Sequence, residues 1–236
     1  MAIYNQNSCF YGLLYKALRQ ENIDLLFYSR FFIYDIKQEL EQNKCSSSKR
    51  VYRGQRISLE KINMLKNLRG QFISFKLFLS PSLDLHASRS FLSNSDNSEL
   101  VIFHIDAYSK LNHIKPFSDI TLKSSYPDEE EVLFMLGSIF QLINIYHHQY
   151  GIWMIQIKLC SYNDRQLKSL FQYIKNEYDD EEKTLLSFGH ILEDMGKYDD
   201  AEKYYRRLLN ELTYDHIDLA ACYLSLGNVV HESNLE

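Results

Sequence analysis

Proline and glycine are scarce in this chain. Three prolines and eight glycines among 236 residues exclude low-complexity linkers and favour regular elements. Cysteine is also sparse: Cys9, Cys45, Cys160 and Cys222 stand apart with no C-x-x-C pair, so neither a zinc site nor a disulfide framework is indicated and reduced thiols in a cytoplasmic setting are expected. The N-terminus, MAIYNQNSCFYGLL, has no basic segment followed by an apolar one, so no export signal is expected. Long hydrophobic runs are missing. The longest, Val132 to Tyr146, is interrupted by Gly137, Ser138, Gln141 and Asn144 and falls short of the ~20 residues a bilayer requires; it reads as a buried strand pair, with no membrane association. A basic excess is absent as well: 26 Lys and Arg face 31 Asp and Glu, a net charge of -5. That argues against nucleic acid as a general partner and requires any anionic ligand to be held by a local cation. What is present in quantity is apolar surface, 45% of residues, enough for a substantial core.

Apolar residues Phe10, Leu13, Leu14 and Ala17, then Ile33, Ile36 and Leu40, follow helical spacing on either side of a break near Glu21 to Asp24, so two helices are expected to open the protein. Past the small polar stretch QNKCSSSKR the period moves toward two. QFISFKLFL (71–79), ELVIFHI (99–105), EVLFM (131–135), SIFQLINIY (138–146) and GIWMIQIKL (151–159) read as strands. SLEKINMLKN and SLDLHASRSFL read as intervening helices with Ser58 and Ser82 as N-caps. The composite is an α+β domain over 1–160, followed by a linker or helix over 161–183. The tail, 184–236, carries Leu185, Phe188, Gly189, Leu192, Ala201 and Tyr205 at the offsets of a tetratricopeptide (TPR) repeat, and YLSLGNVV restarts the pattern with Gly227, 38 positions after Gly189, against ~34 in the standard repeat. Small Gly189 and Ala201 are expected to admit close helix approach, with Leu185 and Tyr205 filling the seam. The array reads as cut off inside or just after the first helix of its second repeat.

Three stretches at predicted strands or their edges hold the candidate chemistry: VYRGQ (51–55), LFLSPS (77–82) and DEEEVLF (128–134). If DEEE continues the strand, alternation places Glu129 and Glu131 on one face and Glu130 on the other. Taken one at a time, each stretch also has a plain structural reading. Arg53 serves equally as a strand residue reaching solvent beside a bulge at Gly54, SPS as a turn capping a helix, and DEEE as a solvated loop. His147 and His148 lack carboxylate or thiolate company at ligand spacing and are read as structural, with no metal site.

In this order the three stretches resemble the R-S-E pattern of the arginine-type mono-ADP-ribosyltransferases: an Arg on the first strand, Ser-Thr-Ser on the second, Glu-x-Glu on a later one. The resemblance covers roughly residues 8 to 159, and ALRQENIDLLFYSRFFIYDIKQEL and SSYPDEEEVLFMLGSIFQL look like eukaryotic members in which this fold precedes TPR-type repeats; the lengthened repeat is similar to those of kinesin light chain. The resemblance implies transfer of ADP-ribose from NAD+, a consumed substrate, to arginine on a protein acceptor. Arg53 would supply a guanidinium fork to the pyrophosphate, and main-chain groups at Gly54 would hold the nicotinamide amide. Ser80 would fix Glu131 by a hydrogen bond. Glu131 would stabilise an oxocarbenium-like cation and hold the ribose 2′-hydroxyl, while Glu129 would orient and deprotonate the incoming guanidinium. Glu rather than Gln at 129 implies arginine as acceptor. Phe91 is a candidate for stacking on nicotinamide and equally for core. Pro81 departs from the pattern by replacing Thr, which removes a backbone donor and a hydroxyl. Two other outcomes stay open at this level, an NAD+ glycohydrolase and a catalytically impaired scaffold binding a protein through its TPR helices.

Overall fold

The structure of the chain, a computed structural model, describes residues 9–90, 98–124, 126–148, 151–164, 167–168, 185–214 and 216–233. It divides into two compact units, Met1–Asp164 and Arg165–Glu236.

The first unit opens on α1 (Cys9–Gln20) and α2 (Ile23–Gln42). Their boundary falls where the apolar spacing breaks, because the side chain of Asn22 accepts from Leu25 N at 3.0 Å and starts α2. There follow β1 (Lys49–Ile57), α3 (Leu59–Asn67), β2 (Phe72–Ser74), α4 (Leu85–Ser90), β3 (Glu99–Ala107), β4 (Phe117–Asp119), β5 (Val132–Phe134), β6 (Ile139–His148) and β7 (Ile152–Leu159). Ser58 caps α3 as expected, accepting from Lys61 N at 3.3 Å. Five strands form a mixed sheet in the order β1-β3-β7-β6-β2. Within it β3 and β7 run parallel and the other neighbours antiparallel. β4 and β5 form a separate antiparallel pair.

The small sheet is a middle layer, and this explains why β5 is apolar at every position. Val132 and Phe134 pack with Val51, Phe103, Phe117 and Phe140 against the large sheet, while Leu133 and Met135 meet Leu14, Ile36 and Leu40 of the N-terminal helices. Phe117 and Phe134 stack at 5.0 Å, and burying one such side chain contributes about 1.5–3 kcal/mol. The sequence reading of 132–146 needs correction here. Two strands do form, but only β5 is buried throughout, β6 being buried at Phe140 and Leu142 alone, and they are not partners: β5 joins β4, and β6 lies between β7 and β2. Gly137, at φ 66°, takes the left-handed conformation that turns the chain from one sheet to the other. The stretch 71–79 is likewise a strand only over Phe72–Ser74. Beyond it Phe78 is buried against the helices and Leu79 in the inter-sheet core, so the chain must leave the large sheet to serve both layers.

In the second unit α5 (Leu185–Asp194), α6 (Tyr198–Glu211) and α7 (Leu219–Ser233) follow in order. α6 buries Ala201, Tyr204, Tyr205 and Leu208, the i, i+3, i+4, i+7 stripe of an amphipathic helix. Gly189 lies directly against the Tyr205 ring. His147 packs edge-on against Trp153 at 4.7 Å. Among the described residues no helix is long and apolar enough to cross a membrane.

Candidate active site

The three candidate stretches meet because one irregular segment, 79–83, is hydrogen-bonded along both edges. On one side it exchanges bonds with β1: Tyr52 N donates to Ser82 O at 2.7 Å and Ser82 N to Tyr52 O at 2.8 Å. On the other, Phe134 N donates to Leu79 O at 2.8 Å, Val132 N to Pro81 O at 2.9 Å and Leu83 N to Glu130 O at 3.0 Å. A residue of β1 and a residue beside β5 are thereby brought within reach of the same serine. Ser82, the expected helix cap, is buried in this ladder. The cap is instead Asp84, whose carboxylate accepts from His86 N at 2.8 Å and Ala87 N at 3.2 Å; those backbone donors, His86 first, hold its carboxyl below the usual range.

Side chains then close the constellation. Arg53 Nη1 donates to Ser80 O at 2.7 Å, and Ser80 Oγ donates to Glu131 Oε1 at 2.7 Å. Ser124 Oγ donates to Glu131 Oε2, also at 2.7 Å. A carboxylate only 4% exposed is therefore gripped at both oxygens by hydroxyls from different segments, which offsets the cost of burying it.

Pro81 does not break this arrangement. The register sets it opposite Val132, where it accepts one ladder bond but lacks the N–H to return the other. Replacing it by Thr adds a hydrogen bond worth about 0.5–1.5 kcal/mol and removes a chain restraint worth about 0.4–1 kcal/mol. We expect Pro81→Thr to leave thermal stability nearly unchanged and, because Ser80 already reaches Glu131, to alter kcat by less than roughly threefold, an activation difference of ~0.7 kcal/mol. A melt and a steady-state assay on the same preparation check both.

Glu129 and Glu131 do line one cavity, but not by strand alternation. Pro127–Glu129 is a 3₁₀ turn, Glu130 is left-handed at φ 46° and ψ 53°, and β5 begins only at Val132. Proline at the turn's first position has a φ already suited to a helical turn and lacks the N–H that a strand ladder would need. The reversal at Glu130 then brings Glu129 back toward Glu131. Desolvation first, and the Glu131 charge second, push the Glu129 carboxyl above its usual range. A non-glycine residue at positive φ costs about 1–2 kcal/mol. Glu130→Gly is expected to keep both stability and activity, while Glu130→Val, whose branched side chain resists this conformation, should lower activity and the melting temperature together.

The cavity between these elements has a volume of about 520 Å³, within the ~300–1,000 Å³ of small-molecule sites. Arg53, Gly54, Ser80, Glu129 and Glu131 all line it, with Gln55, Ser82 and Ser88 as further polar groups and Tyr15, Tyr52, Phe75 and Phe78 as aromatic wall. Gly54 sits in regular register opposite Ile102, so there is no bulge. Phe91 lies outside the described residues. Ser124 and the aromatic wall escaped the sequence reading: Ser124 sits in the unremarkable KSSYP, and Tyr15 and Phe75 follow ordinary helix and strand patterns. Among the described residues, no group of three or more His, Cys, Asp or Glu side chains is disposed to hold a metal ion.

Among solved structures, the chain is similar to the Vis toxin, an ADP-ribosyltransferase from Vibrio splendidus, at 19% identity over 69% of this chain and 73% of that one, TM-score 0.53. The complex of Vis with agmatine matches at 21% identity, 69% and 74% coverage, TM-score 0.53. At this identity the likeness is one of fold. The ADP-ribosyltransferase HopU1 of Pseudomonas syringae matches at 22% identity and TM-score 0.41 over 51% of this chain, which spans about half of HopU1, 48%. No curated protein matches the chain. The family model for NAD:arginine ADP-ribosyltransferases covers residues 1–166, the whole of the unit that carries the cavity, and the chain belongs to that family.

Proposed function

We propose that the protein transfers ADP-ribose from NAD+ to arginine side chains of a protein acceptor and releases nicotinamide. The observation that carries this is the grip on Glu131: a buried carboxylate, oriented by Ser80, facing a cavity that also holds Arg53 and Glu129.

In this reading Arg53 offers its guanidinium to the pyrophosphate, where a planar fork pairs better than an ammonium, and Gly54 lets main chain approach the nicotinamide amide. The bond between nicotinamide nitrogen and ribose C1′ breaks with its electron pair going to nicotinamide. Glu131 stabilises the positive charge left on the ribose and accepts from the 2′-hydroxyl. Arginine nitrogen attacks C1′, and the proton it sheds passes to Glu129. A base with a raised pKa suits that task at neutral pH, and the carboxylate pair gives a guanidinium a matching charge. The agmatine bound by Vis carries the same guanidinium group, which supports arginine as the acceptor here. We further propose that the three helices described in the C-terminal unit form a TPR-type unit that binds a protein partner, a reading supported by the close approach of Gly189 to Tyr205.

Incubation with labelled NAD+ and agmatine or polyarginine tests the reading. Label should appear on the acceptor with stoichiometric nicotinamide. Nicotinamide release that agmatine neither accelerates nor captures would make the protein a glycohydrolase instead.

A further inference from the structure

Ser124 touches Glu131, and the proposed mechanism leaves it without a part. It lies between two short turns, Thr121–Lys123 and Pro127–Glu129. Its backbone is fixed by Ser124 N donating to Ile120 O at 2.8 Å, and Tyr126 N donates to its hydroxyl at 3.1 Å. A serine hydroxyl has one proton and two acceptor sites. With Tyr126 N–H occupying an acceptor site, the proton points to Glu131 Oε2, 2.7 Å away. The loop that contains these residues is closed at its stem by Ile120 N donating to Glu131 O at 2.9 Å. Ser124 is therefore a cross-brace inside a closed loop, joining the side chain of Glu131 to the backbone of the turn that bears Glu129.

We infer that Ser124 is a positioning residue for the transfer reaction, holding the second oxygen of Glu131 as Ser80 holds the first. This rests on the role given to Glu131 above. A carboxylate held at one oxygen still rotates about its last bond; held at both, it presents a fixed face to the ribose. Neither serine contacts the reacting atoms, so loss of Ser124 should slow bond cleavage while leaving NAD+ capture nearly intact.

The test compares Ser124→Thr with Ser124→Val, side chains of almost equal shape that differ in the hydroxyl. Nicotinamide release is measured with water as the sole acceptor, so the readout does not depend on whether arginine is the natural nucleophile; agmatine capture by the wild type is scored separately and bears only on that reading. A hydrogen bond to a charged group is worth about 1.5–3 kcal/mol, so the valine variant should lose roughly ten- to a hundredfold in kcat. Its KM for NAD+ should stay within about twofold of wild type, since uniform binding is untouched. The threonine variant should recover most of the rate. Equal kcat in the two variants, or a valine variant whose loss lies in KM, overturns the inference. The valine variant should melt somewhat lower, having lost a hydrogen bond to a buried carboxylate, and assaying both variants well below their melting temperatures ensures that a rate difference belongs to the hydroxyl and not to folding.

Discussion

Glu131→Gln is expected to lower nicotinamide release by roughly 10²–10³-fold, the usual cost of removing one preorganised electrostatic group from a transition state, with NAD+ affinity little changed. The substitution keeps the size of the side chain and removes two things at once. One is the charge that, in the proposed reaction, faces the ribose cation. The other is acceptor capacity: Ser80 and Ser124 each donate to one carboxylate oxygen, and an amide offers only one oxygen, so one hydroxyl would face an N–H₂ donor, turn its proton elsewhere and accept instead. The carboxylate is almost fully buried, and the neutral amide is cheaper to bury. The melting temperature should therefore hold or rise while activity falls. Calorimetric NAD+ binding alongside a nicotinamide assay separates these effects. Turnover equal to wild type would remove Glu131 from the chemistry.

The residue types were legible in the sequence and the way they meet was not. Arg53 and Gly54 fall on β1, whose sequence KRVYRGQRI shows no period of two, so it was the motif VYRGQ and not the hydrophobic pattern that pointed to them. The convergence depends on 79–83, which has no period at all: it is a bridge whose two edges pair with different sheets, and local sequence does not encode bridge partners 30 residues away on one edge and 49 or more on the other. Glu129 reached the cavity by a different route from the one strand alternation gave, because Pro127 starts a tight turn and Glu130 reverses it. The signal was present in Pro127, which a continuous strand would exclude from its interior. Ser82 lost its capping role to Asp84 for a related reason, since its own backbone was already committed to β1. The N-terminal helices, by contrast, were readable to within a few residues, their apolar stripe being set by contact with one surface.

The matched glycines of the second unit should respond to alanine with opposite signs. In a helix interior alanine is favoured over glycine by about 0.8–1.0 kcal/mol, so on propensity alone both Gly189→Ala and Gly227→Ala would stabilise. At Gly227 nothing in the structure lies within 4 Å of an added Cβ, propensity acts unopposed, and the melting temperature should rise by a few degrees. At Gly189 the added carbon would sit 2.1 Å from Tyr205 Cε1 and 2.3 Å from Cζ, well inside contact distance. The ring has little freedom to withdraw: it is fully buried and its hydroxyl donates to Glu193. α5 and α6 must then move apart. Overpacking of this kind costs typically 1–3 kcal/mol and occasionally more, and a fixed ring met at 2.1 Å belongs at the upper end, so Gly189→Ala should destabilise the unit by about 2 kcal/mol after the propensity gain. Shortening the opposing side chain gives the decisive control. Combined with Tyr205→Leu, the alanine at 189 should cost far less than it does alone, a non-additivity expected only of residues in direct contact. Thermal melts of the two single variants, Tyr205→Leu and the double variant measure it; an alanine at 189 as benign as one at 227 would mean that the helices do not meet at this glycine.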